Sequence, residues 1–248
     1  MTRYRGALIG EPGVSAVAAR RTERVLAWKG PDPVRVDAAH VTLRPDSLTA
    51  RGTSAVADYA VDWVLETGAA WVTRSLSVRA RGDGFVRSLE LRRDAGGTWS
   101  ALCSQDGRPA ASLDVAGLDG ALDCDLGLCP FTNTMPVLRH DLVARARRGE
   151  HYSVELVMAW VAVPDLTLQV SPQRYTPLGP APDGGAMIGF GSGDFEATIE
   201  FDRDGLVRDY PGLASRLPVN RPRRRENVEP GPPAPTTRPE APAPKGSL

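Results

Sequence analysis

Alternation of apolar and polar residues at every second position is the feature that most constrains this sequence. The clearest segment runs through residues 151–161, and every second side chain in it is apolar: Tyr152, Val154, Leu156, Met158 and Trp160. A period of two is typical of a β-strand with one buried face. The opposite face of the segment begins polar and becomes apolar toward Val161, which predicts a central strand. About a dozen such segments and no convincing long helical pattern predict an all-β fold with little helix.

So many strands predict one long antiparallel sheet that curls to cover its apolar face. A closed barrel, a sandwich and a half-barrel folded over a groove share this pattern, so alternation leaves all three open. Residues 59–65 and 70–78 form one predicted hairpin across a turn at 66–69. In it Arg74 is predicted to share a face with Val72 and Leu76. Such an arginine needs an anionic or carbonyl partner, unless its side chain reaches the sheet edge.

Residues 123–136 differ from the rest, because alternating acids run into a segment bounded by prolines. Asp123 and Asp125 are predicted on one strand face. Pro130 and Pro136 remove two amide donors, so residues 131–135 should form a shaped loop or an edge. Its hydroxyl and amide groups could bind polar ligand atoms or could satisfy their own backbone in a buried turn. Residues 137–148 fit either a short helix or an extended arm.

Composition divides the chain into a leader at 1–21, a folded domain at 22–217 and a tail at 218–248. The tail has nine prolines and no aromatic residue, which predicts disorder because it cannot bury enough apolar surface. It carries six basic and three acidic residues in a chain of zero net charge, so the rest is near −3. A basic face is therefore not indicated, and nucleic acid is disfavoured as the main partner.

The three cysteines do not indicate a secreted disulfide framework or a zinc site. Cys103, Cys124 and Cys129 are odd in number, and the last two have no second pair to complete four zinc ligands. No metal or other cofactor is expected. The apolar run near the N-terminus ends at Glu11 and Pro12, too early for a signal peptide, and no stretch approaches a membrane span. The expectation is a cytoplasmic protein without a transmembrane segment.

Several segments together resemble the bacterial glycolipid-binding family, over roughly residues 24–216. They are Asp62 with Trp71-Val72-Thr73-Arg74, Leu122 to Gly127 running into Cys129 to Pro136, Val163-Pro164-Asp165-Leu166, Arg174-Tyr175-Thr176, Asp204-Gly205-Leu206-Val207 and Asp209-Tyr210-Pro211-Gly212-Leu213. The Pro-Phe-Thr-Asn-Thr and Asp-Tyr-Pro-Gly-Leu segments are the most specific. The resemblance implies a long antiparallel sheet forming an unclosed barrel, similar to lipoprotein carriers of the bacterial envelope.

The resemblance also implies a non-enzymatic role in binding a glycolipid or another acyl-chain ligand. The acyl chain would lie on the apolar concave face, where burial of each methylene gains about 0.8 kcal/mol. The candidate ligand-binding residues are Trp63, Trp71, Arg74, Asp123, Asp125, Phe131, Thr132, Asn133, Thr134, Trp160, Arg174 and Tyr175. Neither the ligand nor the oligomeric state follows from the sequence.

Two other functions remain open. Asp123 and Asp125 are two strand positions or about 6.8 Å apart, which suits the acid and base of a hydrolase acting on a sugar or sugar ester. Alternating acids are more often a solvated strand face. In the tail, residues 230–244 could adopt polyproline II and three consecutive arginines at 223–225 could contact anionic lipid or RNA. Such tails are more often spacers.

Overall fold

The structure is a computed structural model that describes residues 21–219, and most of its regular secondary structure is β-strand. The strands are Thr22–Pro31 (β1), Val34–Leu43 (β2), Leu48–Ala55 (β3), Tyr59–Thr67 (β4), Thr73–Gly82 (β5), Phe85–Arg93 (β6), Trp99–Gln105 (β7), Ala111–Ser112 (β8), Asp123–Leu126 (β9), Val154–Val161 (β10), Leu168–Pro180 (β11), Ala186–Ser192 (β12), Phe195–Phe201 (β13), Val207–Tyr210 (β14) and Ala214–Arg216 (β15). Two short helices, Thr134–Arg139 (α1) and Leu142–Arg147 (α2), follow the 3₁₀ turn Pro130–Asn133. The predicted leader and tail lie almost entirely outside the described residues.

All fifteen strands belong to one sheet, in the order β8-β7-β6-β5-β4-β3-β2-β1-β15-β14-β13-β12-β11-β10-β9. Neighbouring strands are antiparallel except β9 and β10, which are parallel. The two ends of the sheet, β8 and β9, do not pair with each other, so the sheet does not close into a barrel. The predicted all-β, unclosed architecture is confirmed. The predicted strand at 151–161 is β10, which pairs on both sides.

The inner face of β1–β7 is filled by the protein's own side chains. Leu26, Leu65, Leu76 and Leu91 on these strands are fully or almost fully buried, and they share one cluster with Cys124, Leu126, Ala159 and Val161 on β9 and β10. Trp63 of β4 stacks on Phe131, with ring centroids 5.5 Å apart. Strands β9 and β10, at one end of the sheet, therefore pack against β1–β7, and buried side chains occupy the inner face along this half.

The two helices cover part of the other half. Val137, Leu142 and Ala146 pack with Ile188 and Phe201 in a second buried cluster on the inner face of β10–β14. Pro136 lies in the first turn of α1, where a missing amide hydrogen costs nothing. Residues 137–148 are thus helical rather than an extended arm. Because the helices cover only one end of this face, the other end remains open.

The predicted position of Arg74 is wrong. A register shift between Glu66 and Thr67 interrupts the pairing of β4 with β5, so Thr73 and Leu76 are buried while Arg74 is exposed. A β-bulge of this kind changes which side chains face the core. Arg74 therefore needs no buried partner, and its guanidinium lies over Gly68.

Three other features concern the cysteines, metals and membranes. Cys103, Cys124 and Cys129 are free thiols. No group of three or more metal-ligating side chains occurs within residues 21–219. Across the same residues no helix has the length and apolar character needed to cross a bilayer.

Candidate functional site

The open end of the inner face forms a cavity of about 530 Å³. This volume lies in the range of small-ligand sites, about 300–1,000 Å³. Its walls come from the end of β9 and the loop after it, the end of β10, the first half of β11, the β12–β13 hairpin, and the end of β14 with the turn after it. The lining residues are Asp125 to Cys129, Asn133, Trp160, Gln169 to Gln173, Phe190, Ser192, Gly193, Phe195, Tyr210 and Leu213. Five polypeptide segments thus converge on one concave surface.

Asp125 is the acidic group of this cavity. Its Oδ1 accepts a hydrogen bond from Thr132 Oγ1 at 2.6 Å, and its Oδ2 accepts one from Gln173 Nε2 at 2.7 Å. Burial raises the pKa of Asp125, and these two hydrogen bonds oppose the increase. The carboxylate is held in one orientation, because each oxygen has a donor on a different segment.

The hydroxyl of Tyr175 contacts the side-chain amides of Asn133 and Gln173 on the side away from the cavity. Its hydroxyl lies 2.9 Å from Asn133 Oδ1 and 3.0 Å from Gln173 Oε1, within hydrogen-bond distance of both acceptors. Burial raises the pKa of Tyr175 well above its ordinary value, so the phenol stays protonated. Asn133 Nδ2 donates to the carbonyl oxygen of Pro130 at 3.3 Å. A connected polar network thus forms the floor of the cavity.

Aromatic rings form the opposite wall. Phe190 makes edge contacts with Phe195 and Tyr210, with centroids 6.1 and 5.9 Å apart. Phe195 is 50% exposed, so its ring presents apolar surface to solvent at this wall. Trp160, on β10, lines the cavity beside Asp125. Carboxylate and amide groups opposite aromatic faces can bind hydroxyl groups and the apolar face of a ring together.

Asp123 has a different role from Asp125. Both of its oxygens accept hydrogen bonds from the guanidinium of Arg139, each at 2.5 Å. The same guanidinium donates to the carbonyl oxygens of Ala70 and Trp71, at 2.9 and 3.1 Å. Burial raises the pKa of Asp123, whereas Arg139 opposes that increase. This bidentate pair joins β9, α1 and the turn before β5. Both carboxylate oxygens of Asp123 are therefore hydrogen-bonded within the protein.

The structure brings together only part of the predicted site. Asp125, Asn133 and Trp160 line the cavity, and Thr132 and Tyr175 support it from behind. Trp63, Phe131 and Thr134 are buried in the core. Trp71 lies in the turn held by Arg139, and Arg74 and Arg174 are exposed outside the cavity, where Arg174 pairs with Glu196.

Most residues of the cavity were not predicted, and among them are Gln173, Phe190, Phe195 and Tyr210. Tyr210 belongs to the Asp-Tyr-Pro-Gly-Leu segment, which the sequence analysis had singled out as a specific part of the family resemblance. Gln173 follows the alternation of β11 and therefore shares a face with Tyr175. Phe190 and Phe195 meet because Ser192 pairs with Phe195 across the hairpin, and that register could not be read from composition or spacing.

Comparisons with known proteins give one family and one solved structure. A family model described as "Putative glycolipid-binding" matches residues 25–216. The crystal structure of a DUF1089 family protein from Pseudomonas aeruginosa is similar in fold, with 24% sequence identity and a TM-score of 0.54. The similarity covers 86% of this chain and 100% of that one. A comparison with the curated proteins finds no match.

Proposed function

The chain belongs to the family described as "Putative glycolipid-binding", and from this premise we propose that it binds an amphiphile with a sugar-containing head in the cavity between β9 and β14. The observation that carries the proposal is the aromatic wall opposite the floor of Asp125, Asn133 and Gln173. The proposed role is binding without a chemical step.

The polar floor suits a head group rich in hydroxyls. Asp125 accepts hydrogen bonds, and the amides of Asn133 and Gln173 can both donate and accept. The hydrogen bond from Gln173 to Asp125 and the one from Tyr175 to Asn133 fix these groups before a ligand arrives. A preformed polar site loses less conformational entropy on binding than a mobile one.

The apolar part of the ligand is proposed to lie at the mouth of the cavity. Phe195 and Val170 line it and are 50% and 43% exposed. Covering them would remove apolar surface from water, at about 25 cal/mol per Å². The inner face of β1–β7 is a poorer location for an acyl chain, because side chains such as Phe131 fill it.

Hydrolysis by two carboxylates has weaker support. Asp123 is enclosed with Arg139, whose side chain is only 9% exposed. Among the described residues that line the cavity, Asp125 is therefore the one carboxylate that could act as a catalytic acid or base, whereas the mechanism requires two.

The cytoplasmic location remains a prediction from the sequence.

The proposal is tested by titrating the protein with n-octyl-β-D-glucoside below its micellar concentration. Trp160 lines the cavity, so the tryptophan fluorescence of the protein is expected to change on binding, and calorimetry gives the affinity. Phe195→Ala is expected to weaken binding, since it removes the most exposed ring of the wall. Because that ring is half exposed, the fold should tolerate its loss.

Leu178→Ala is the matched control. Leu178 is 57% exposed and lies outside the cavity, so its replacement should leave the affinity unchanged. Equal affinities of the wild type and Phe195→Ala would contradict the proposed site. Absence of binding by any alkyl glycoside, together with no change in tryptophan fluorescence, would contradict the proposed function.

A further inference from the structure

The outer face of β1–β6 carries a second groove, on the side of the sheet opposite the core. It has a volume of about 720 Å³, which again lies in the range of small-ligand sites. None of its lining residues belongs to the cavity described above. It is therefore a separate surface, which the proposed head-group site does not use.

Strand registers show how this groove is built. One row of outward-facing residues crosses six strands as successive pairing partners: Val25, His40, Arg51, Val64, Ser77 and Glu90. A second row crosses β2–β6: Ala38, Thr53, Asp62, Arg79 and Ser88. With a strand spacing of about 4.8 Å, six strands give a length of about 24 Å. The groove is thus long and narrow.

One end of the groove is apolar. Val25 of β1 is 60% exposed at this end, where the small side chain of Ala38 on β2 also lines the groove. Val64 of β4 is 47% exposed and lies farther along the groove, between Arg51 and Ser77. Exposed valines in a concave surface gain free energy when an apolar ligand covers them.

The middle of the groove carries unpaired positive charge. Among the described residues, Arg51 and Arg79 have no carboxylate within 4.0 Å, whereas both acids of the groove are already bound. Asp62 pairs with Arg81. Glu90 accepts a hydrogen bond from Ser77 Oγ at 2.8 Å and lies 3.5 Å from Arg92.

Arg51 and Arg79 flank strand β4 from β3 and β5. His40 pairs with Arg51 across the strands and adds a further nitrogen donor or acceptor. Guanidinium groups form paired hydrogen bonds with carboxylates. The groove therefore combines an anion-binding centre with an apolar arm toward β1.

We propose that this groove binds a medium-chain fatty acid. The carboxylate is bound by Arg51 and Arg79, and the hydrocarbon chain runs across β2 to β1 over Ala38 and Val25. The assignment rests on complementary charge and on the apolar arm. It is independent of the sugar head-group site.

The experiment measures binding of laurate by calorimetry, below its micellar concentration, beside 1-dodecanol and acetate. Laurate should bind, whereas dodecanol lacks the charge and acetate lacks the chain. Arg51→Gln combined with Arg79→Gln should weaken laurate binding by at least about tenfold. Both arginines are exposed, so the variant should fold, and its unfolding midpoint verifies this.

Two controls separate this site from the head-group cavity. Arg174→Gln removes an exposed arginine on β11, and Phe195→Ala alters the head-group cavity; both should leave laurate affinity unchanged. Octyl glucoside and laurate should bind together. The proposal is overturned if laurate does not bind, if the double arginine variant binds it normally, or if Phe195→Ala abolishes its binding.

Discussion

Replacing Arg139 with methionine should lower the free energy of unfolding by about 3–5 kcal/mol at pH 7. The side chains of Arg139 and Asp123 are 9% and 1% exposed, so the variant leaves a buried carboxylate without its bidentate partner. Breaking such a pair costs more than the pair contributes, because the remaining charge has lost both water and its counter-ion. The variant also removes the donor to the carbonyl oxygens of Ala70 and Trp71.

The loss should depend on pH in a defined direction. Burial raises the pKa of Asp123 and Arg139 opposes the increase, so the pKa of folded Arg139→Met lies above that of the unfolded chain, which is about 3.9. At pH values between the pKa of Asp123 in the unfolded chain and its pKa in the folded variant, the folded state binds more protons than the unfolded state. Stability therefore falls as pH rises through this window. The deficit relative to wild type should be smaller at pH 4 than at pH 7.

Urea unfolding followed by circular dichroism at both pH values measures this effect. Adding Asp123→Asn to Arg139→Met removes the isolated charge and should recover part of the stability at pH 7. Arg174→Met is the matched control, since it breaks an exposed pair with Glu196 and should cost about 0.5 kcal/mol or less. A loss below about 1 kcal/mol for Arg139→Met, or an equal loss at both pH values, would refute the reasoning.

Two further predictions concern packing in the core. Phe131→Ala should reduce the free energy of unfolding by about 3–5 kcal/mol, because the ring is buried and stacks on Trp63. Phe195→Ala should reduce it far less. Comparable losses for the two variants in chemical denaturation would contradict the assignment of Phe131 to the core. Gly52→Ala should destabilise by about 1–3 kcal/mol, since its Cβ would lie 2.3 Å from the Trp63 ring and 2.6 Å from a main-chain oxygen. Gly96→Ala, in an exposed turn where the nearest atom is 3.3 Å away, should change the melting temperature little, and a larger effect there than at Gly52 would overturn this prediction.

The strands were largely predictable because alternation is a local property. Tyr59 to Leu65 and residues 154–161 read as strands from their own side chains, and both are strands in β4 and β10. The placement of Arg74 failed because a bulge shifts the register by one position. A shift of one residue moves a side chain to the other face of the sheet, and alternation alone does not locate it.

The site was only partly predictable, because its residues come from distant strands. The segment around Asp125 was identified by its unusual chemistry, and Asn133 and Thr132 follow it closely in sequence. That Asp123 is bound by Arg139 depends on how α1 packs against β9, which no local pattern specifies. Phe190 and Phe195 belong to ordinary alternating strands, so their place in the cavity emerges only from the hairpin register.

Native mass spectrometry of the protein purified from its natural host tests the central claim most directly. The wild type should carry one amphiphile with a sugar-containing head, and replacing Phe195 with glutamate should reduce the bound fraction by placing a charge at the mouth of the cavity. Leu178→Glu, on the other face of the sheet, should retain the ligand. A wild-type protein that repeatedly carries no amphiphile, or equal occupancy in the Phe195 variant, would contradict the account.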